Sequence, residues 1–206
     1  MAQIALPLDW PVADREEDFL LSDSNRAAFD HLRRWSLWPV MATLVTGPRK
    51  SGRSLLGRIF ARKTDGRLFD NAERQDEEAL FHAWNEAQER RKPLFIVADM
   101  APPAWEIALP DLRSRLAATP QVEIQPPDDA LIAQLIVKLL GDRGIAVAPD
   151  IADYLVPRIE RSYVSVLGIV DILDQAMLSH HRRMTVPLAR KALEEARTVG
   201  RSRMHV

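Results

Sequence analysis

At 206 residues, with 47% hydrophobic and 28% charged side chains, the chain is long enough to bury a full core, and its composition is that of an ordinary globular protein. A net charge of -1 argues against holding nucleic acid by bulk charge, and no apolar run approaches the length of a membrane span. The absence of cysteine excludes disulfides, thiolate metal sites and cysteine nucleophiles together.

The first residues, MAQIALPLDWPVADREEDF, lack the basic start and long apolar stretch of a signal peptide, so a cytoplasmic protein is expected. Residues 2–16 show no period and are broken by Pro7 and Pro11. Within them Gln3-Ile4-Ala5-Leu6-Pro7-Leu8 is an extended peptide with a leading amide and spaced leucines, a form that docks into an apolar pocket. A tail or a strap on the chain's own domain is the plainer reading. Phe19 to Asn25 leads into a helix from about Asn25 to Trp35, capped by Ser22, Asp23 or Ser24.

Met41 to Phe60 carries most of the functional argument. A short apolar run (Ala42, Leu44, Val45) precedes Gly47-Pro48-Arg49-Lys50-Ser51-Gly52-Arg53-Ser54, and a helical pattern of Leu55, Leu56, Ile59 and Phe60 follows. Strand, glycine-rich loop and helix is the setting in which backbone N–H groups cradle phosphates. The spacing fits G-x-x-x-x-G-K-[ST], except that Arg53 stands where the pattern has lysine.

Arg67-Leu68-Phe69-Asp70-Asn71 is a short apolar stub ending in an acid, and Glu73 to Arg91 reads as a helix. Leu94 to Ala98 is a continuous apolar run ending in Asp99, as a strand buried on both faces should be. Pro110 to Leu116 is a short helix with Asp111 near its start and arginines near its end, matching the helix dipole. After a last strand at Val122–Ile124, Pro126-Pro127 opens an all-helical stretch. Its helices are expected at 129–143, 150–159 (ended or kinked by Pro157), 162–181 and 187–199, the last capped by Thr185 and stopped by Gly200. The plan is α/β: 1–16 a tail, 17–126 a small parallel layer, 127–206 a helical domain.

In its order of parts the chain resembles the DnaA-type initiators of the AAA+ class, and more closely their Hda-type regulators. The resemblance rests on the phosphate loop with Arg53, the strand ending Asp70-Asn71, the strand ending Asp99, the Leu109–Leu116 segment and a four-helix lid. Gln3, Leu6, Pro7 and Leu8 match the regulators' Q-x-x-L-P-L sliding-clamp motif. The resemblance implies that Gly47, Gly52, Arg53 and Ser54 hold the phosphates of ADP or ATP, with Mg at Ser54 and Asp70 when nucleotide is bound. It makes Asp99 the sensor, Phe19, Leu20, Leu21 and Asn25 the adenine-side segment, and Arg115 an arginine finger acting on a neighbour's ATP. The implied partners are the DNA polymerase sliding clamp and the replication initiator. No initiator-type DNA-binding domain follows the lid, so direct sequence-specific DNA binding is not expected, nor is a membrane; self-association is left open.

The departures point away from an independent ATPase. Asn71 replaces the second acid that activates water, and an amide cannot accept that proton. The lid's sensor arginine falls at Val164, with Arg161 the nearest substitute. The span from Ser54 to Asp70 holds one helix and one strand, without the usual strand–helix unit between. The expected core is therefore a minimal P-loop AAA+ sheet of order 5-1-4-3 with strand 2 missing. Plainer readings stand beside these: an empty loop that kept its turn glycines, a surface arginine at 115, and Asp70 as a helix cap. The function the resemblance implies is negative regulation of bacterial replication initiation through clamp docking and Arg115. A nucleotide-free adaptor keeping the AAA+ shape for protein contacts is the alternative.

Overall fold

All five residues of β1 (Ala42–Thr46) are buried, and the core is laid out on either side of this strand. The computed structural model describes residues 15–180 and 184–203. Beside β1 runs β3 (Leu94–Val97), also wholly buried, parallel and in register from Ala42 with Leu94 to Val45 with Val97. The outer positions are taken by β2 (Arg67–Phe69) against β3 and β4 (Gln121–Glu123) against β1, both parallel. The order β2-β3-β1-β4 is the expected 5-1-4-3 arrangement read from the other edge, with strand 2 absent and no gap inside the sheet. An edge strand can be lost this way because it breaks only one ladder.

The two-residue period of the strands sorts the core into two layers. Val45, Phe95 and Val97 face α1 (Asp23–Arg33) and α2 (Arg53–Lys63), packing with Phe29, Leu32, Leu56 and Phe60. Ala42, Leu44, Leu94 and Ile96 face the opposite way, onto Leu80 and Ala83 of α3 (Glu77–Arg90) and Leu112 and Leu116 of α4 (Pro110–Ala118). Burying such side chains stabilises the fold by about 1.5–3 kcal/mol each, so both layers are substantial.

The helical part has its own core. Ile132, Ile136 and Leu140 of α5 (Asp129–Gly141) meet Ile151 and Leu155 of α6 (Pro149–Leu155), Val170 and Leu173 of α7 (Tyr163–His180), and Ala189 of α8 (Val186–Arg203). Leu131 and Tyr163 join the first layer instead, so the lid is packed onto the α/β part. Asp128 caps α5 through Leu131 N–H and also accepts from Ser24 N–H, while Tyr163 Oη donates to Gln125 O at 3.0 Å. Among the described residues no helix is long and apolar enough to cross a membrane.

Several boundaries differ from the sequence reading, three of them for a clear physical reason. α3 begins at Glu77, not Glu73, because a 3-10 turn at Ala72–Arg74 precedes Asp76, whose carboxylate caps the helix through Ala79 N–H. α1 starts at Asp23 behind Ser22, the N-cap. α8 continues through Gly200 to Arg203: a single glycine costs a helix about 1 kcal/mol, which does not end it. Pro157 closes α6 as expected, inside a 3-10 turn.

Candidate functional site

The glycine-rich loop owes its shape to two close approaches. At Gly47, with φ 143°, a Cβ would stand 2.5 Å from Ile124 O; at Gly52, with φ 88° and the N-cap of α2, it would stand 3.2 Å from the Phe19 ring. Only glycine serves at both. Phe19 therefore lies on the loop, its other side stacked on Phe29 at 6.3 Å. Asn25, nearly fully buried, holds this segment by its side chain, accepting from Ser22 N–H at 2.9 Å and donating to Leu20 O at 2.8 Å.

Between this segment, the loop and the lid lies a cleft of about 850 Å³. Phe19, Leu20, Leu55, Leu131, Leu135, Leu139 and Val166 give it an apolar wall; Arg15, Asp18, Lys50, Lys138 and Asp142 add charge. Lys138 is 3.8 Å from Asp18 and 3.4 Å from Asp142, joining lid to core on one side. Of the adenine-side residues, Phe19, Leu20 and Asn25 line the cleft; Leu21 is 37% exposed and does not. Gln3, Leu6, Pro7 and Leu8 lie outside the described residues.

The remaining predicted residues pair with one another rather than lining the cleft. Arg53 is 9% exposed, and its guanidinium donates to Ala98 O and, at 2.5 Å, to Asp99. That hydrogen bond holds the Asp99 carboxyl below the ordinary carboxylate range against the opposing effect of burial, with the charges of Arg53, Arg74 and Arg49 adding to it. Ser54 Oγ donates to Asp70 Oδ1 at 2.9 Å, and the same oxygen accepts Asn71 N–H at 3.0 Å, with Asn71 in the left-handed region. Asp70 is thus neither free nor a helix cap.

The cleft's volume and apolar wall leave room for a planar ring, and a glycine-rich loop opening a helix is the setting in which backbone N–H groups hold phosphates. Magnesium fits less well. It prefers an octahedral shell drawn from carboxylates, waters and phosphates, whereas Ser54 and Asp70 offer one hydroxyl and one carboxylate that satisfy each other. Arg161 does not replace the lid arginine: it grips Asp129 with two bonds of 2.8 and 2.9 Å, and Val164 is 57% exposed.

Arg115 lies on α4, outside the cleft. Its Nε donates to Asn85 Oδ1 at 2.9 Å and Nη1 to Asp111 O at 3.2 Å, and its guanidinium sits 4.3 Å from the Phe81 ring centroid and 5.4 Å from that of Trp84. Among the described residues it forms no ion pair.

Among the cleft residues that sequence reasoning passed over are Lys50 and Ser51 of the loop itself. Ser51 is 6% exposed, and its Oγ is buried without a hydrogen-bond partner. Both occupy unspecified positions of the loop pattern, so no motif marks them.

The family model described as "Hda, lid domain" matches residues 130–193. Domain III of the Thermotoga maritima replication initiation protein DnaA superposes with a TM-score of 0.70 at 13% identity, over 87% of this chain and 95% of that one. The Thermotoga maritima RuvB Holliday junction branch migration motor superposes at 0.65 with 14% identity, over 88% and 71%. An uncharacterised protein of Haemophilus influenzae is 29% identical over 116 residues, 56% of this chain. The match spans 50% of that relative's length. At these identities the structural likenesses establish the shared fold.

Proposed function

We propose, from the premise that the chain is a DnaA/Hda-related AAA+ protein, that it restrains bacterial replication initiation. In this reading it docks on the DNA polymerase sliding clamp through Gln3, Leu6, Pro7 and Leu8 and presents Arg115 to ATP bound by the replication initiator. The carrying observation is Arg115 itself: a half-buried guanidinium held in place by an amide, a carbonyl and two rings, with no carboxylate among the described residues neutralising it. Releasing it from those contacts costs about 1–2 kcal/mol. An arginine finger contributes roughly 10³–10⁵ in rate, about 4–7 kcal/mol, so presentation to a partner's phosphate outweighs that cost.

The chain's own cleft then serves a structural role, holding ADP or ATP and setting core against lid. Arg53 and Ser54 are engaged with Asp99 and Asp70, and Asn71 is an amide, so neither the cation nor the base of a self-sufficient ATPase is in place. The same pairings favour the second reading, a nucleotide-free adaptor.

The test is initiator ATP hydrolysis with clamp loaded on DNA, with and without this protein. Arg115→Ala should abolish stimulation while co-elution with the clamp is retained; Gln3→Ala with Leu6→Ala should abolish both. Stimulation surviving in Arg115→Ala sinks the proposal, and stimulation absent in the wild type leaves the adaptor.

A further inference from the structure

We infer that Asn85 is the positioning residue of Arg115: its amide oxygen aims the guanidinium so that Nη2 is offered to a phosphate on a neighbouring protein, and its neutrality leaves the charge undiminished. This rests on the arginine-finger reading of Arg115. The first observation is where Asn85 stands. Phe81, Trp84 and Asn85 follow at i, i+3 and i+4 along α3, and all three are partly buried on the side that meets Arg115 of α4. That side holds Arg115 at both ends. Trp84 Nε1 donates to Thr119 Oγ1 at 3.0 Å, and Thr119, itself buried, donates in turn to Arg115 O at 2.8 Å. The main chain of Arg115 is thereby tied to α3. Asn85 Oδ1 ties the far end of the side chain, accepting from Nε at 2.9 Å while the guanidinium lies over the Phe81 ring.

The second observation is which nitrogens are taken. Nε goes to Asn85 and Nη1 to Asp111 O, while Nη2 makes no hydrogen bond among the described residues. A guanidinium is planar and rigid, so fixing Nε and Nη1 fixes where Nη2 points. Asp111 O belongs to the same helix as Arg115; among the described residues Asn85 alone bonds the guanidinium from another element. The third observation is the type of residue. Nε can only donate, and the amide meets it with its oxygen. A carboxylate of nearly the same size would accept more strongly, but it would cancel the charge a phosphate has to feel. An amide gives direction without neutralisation.

The test is initiator ATP hydrolysis, with clamp loaded on DNA, measured against the concentration of the full chain, with a melting curve for each variant. Asn85→Asp should lower the maximal stimulated rate about tenfold or more, because the new carboxylate binds Arg115 and neutralises it. Its half-saturating concentration should stay within about twofold of the wild type, and its melting temperature should be unchanged or higher. Asn85→Ala removes the anchor instead, and should lower the maximal rate about three- to tenfold with the half-saturating concentration again unchanged, since small misplacements of a reacting group are costly. A purely structural asparagine would lower the rate only in step with the melting temperature. Wild-type stimulation in Asn85→Asp, or a loss in either variant that comes from a raised half-saturating concentration, overturns the inference; Arg115 remains the finger if Arg115→Ala still abolishes stimulation. Absence of stimulation by the wild type overturns both.

Discussion

Arg53 and Arg115 are the two arginines on which a catalytic reading turns, and they are held in opposite ways. Arg53 is buried, and its partners are a carbonyl and a carboxylate, so its charge is matched inside the protein. Arg115 is half-exposed, and its partners are neutral: Asn85, the Asp111 carbonyl, and the faces of Phe81 and Trp84. Those contacts fix where a guanidinium points without cancelling what it carries. A matched arginine contributes to the fold; an unmatched one keeps its field for something outside. The arginine of the glycine-rich loop is matched by a carboxylate within the fold, and the arginine on α4 is held by neutral groups.

The sharpest way to break this contrast is to remove each arginine's partner or each arginine. Asp99→Ala leaves the Arg53 charge buried and unmatched, and should cost about 3 kcal/mol in urea denaturation. Arg115→Ala should cost no more than about 1–2 kcal/mol in the same measurement, despite abolishing stimulation. Comparable losses would show that both arginines are structural.

Acid offers a second, smaller handle. The folded Asp99 carboxyl lies below its ordinary 3.8, so its contribution is complete above that value and fades as pH falls through the depressed one. Asp128 behaves alike: burial works to raise it, but hydrogen bonds from Leu131, Ser22 and Ser24 prevail and lower it. Melting curves taken downward from about pH 5 should fall less steeply in Asp99→Asn than in the wild type. Identical slopes would mean the Arg53–Asp99 pair does not survive in solution.

The smallest expected effect sharpens the Arg115 side. Phe81→Leu keeps the volume nearly constant but removes the ring beneath the guanidinium, and should reduce stimulation about two- to fivefold with little change in melting temperature. No change would mean that the ring does not position Arg115.

Much of the architecture was readable because it depends on spacing. The short interval from Ser54 to Asp70 required a missing strand, and the unbroken apolar run at 94–98 required a strand covered on both faces. Phe19, Leu20 and Asn25, which the family resemblance singled out, line the cleft. The pairing of Arg53 with Asp99 was not readable, because a motif gives a residue's place in the chain and not the direction of its side chain. The 3-10 turn at Ala72–Arg74 was hidden by charged residues that suit a helix start equally well; Asp76, further on, is the cap. Gly200 misled because a single glycine costs a helix only about 1 kcal/mol, which by itself does not end it. Lys50 and Ser51 escaped notice because loop patterns specify glycines and leave the side chains between them blank.

The position of β1 has a consequence for synthesis. Its hydroxyl-bearing Thr43 bonds Pro120 O, 77 residues later in the chain, and its other neighbour begins only at Leu94. A ribosome that has released β1 must therefore extend through two helices before the first flank is covered and through α4 before the second. Pairings this distant in sequence form slowly, since a long loop must close before any contact rewards it. During that interval a strand destined to be wholly buried has no partner, and the nascent chain is at its most vulnerable to association with other chains.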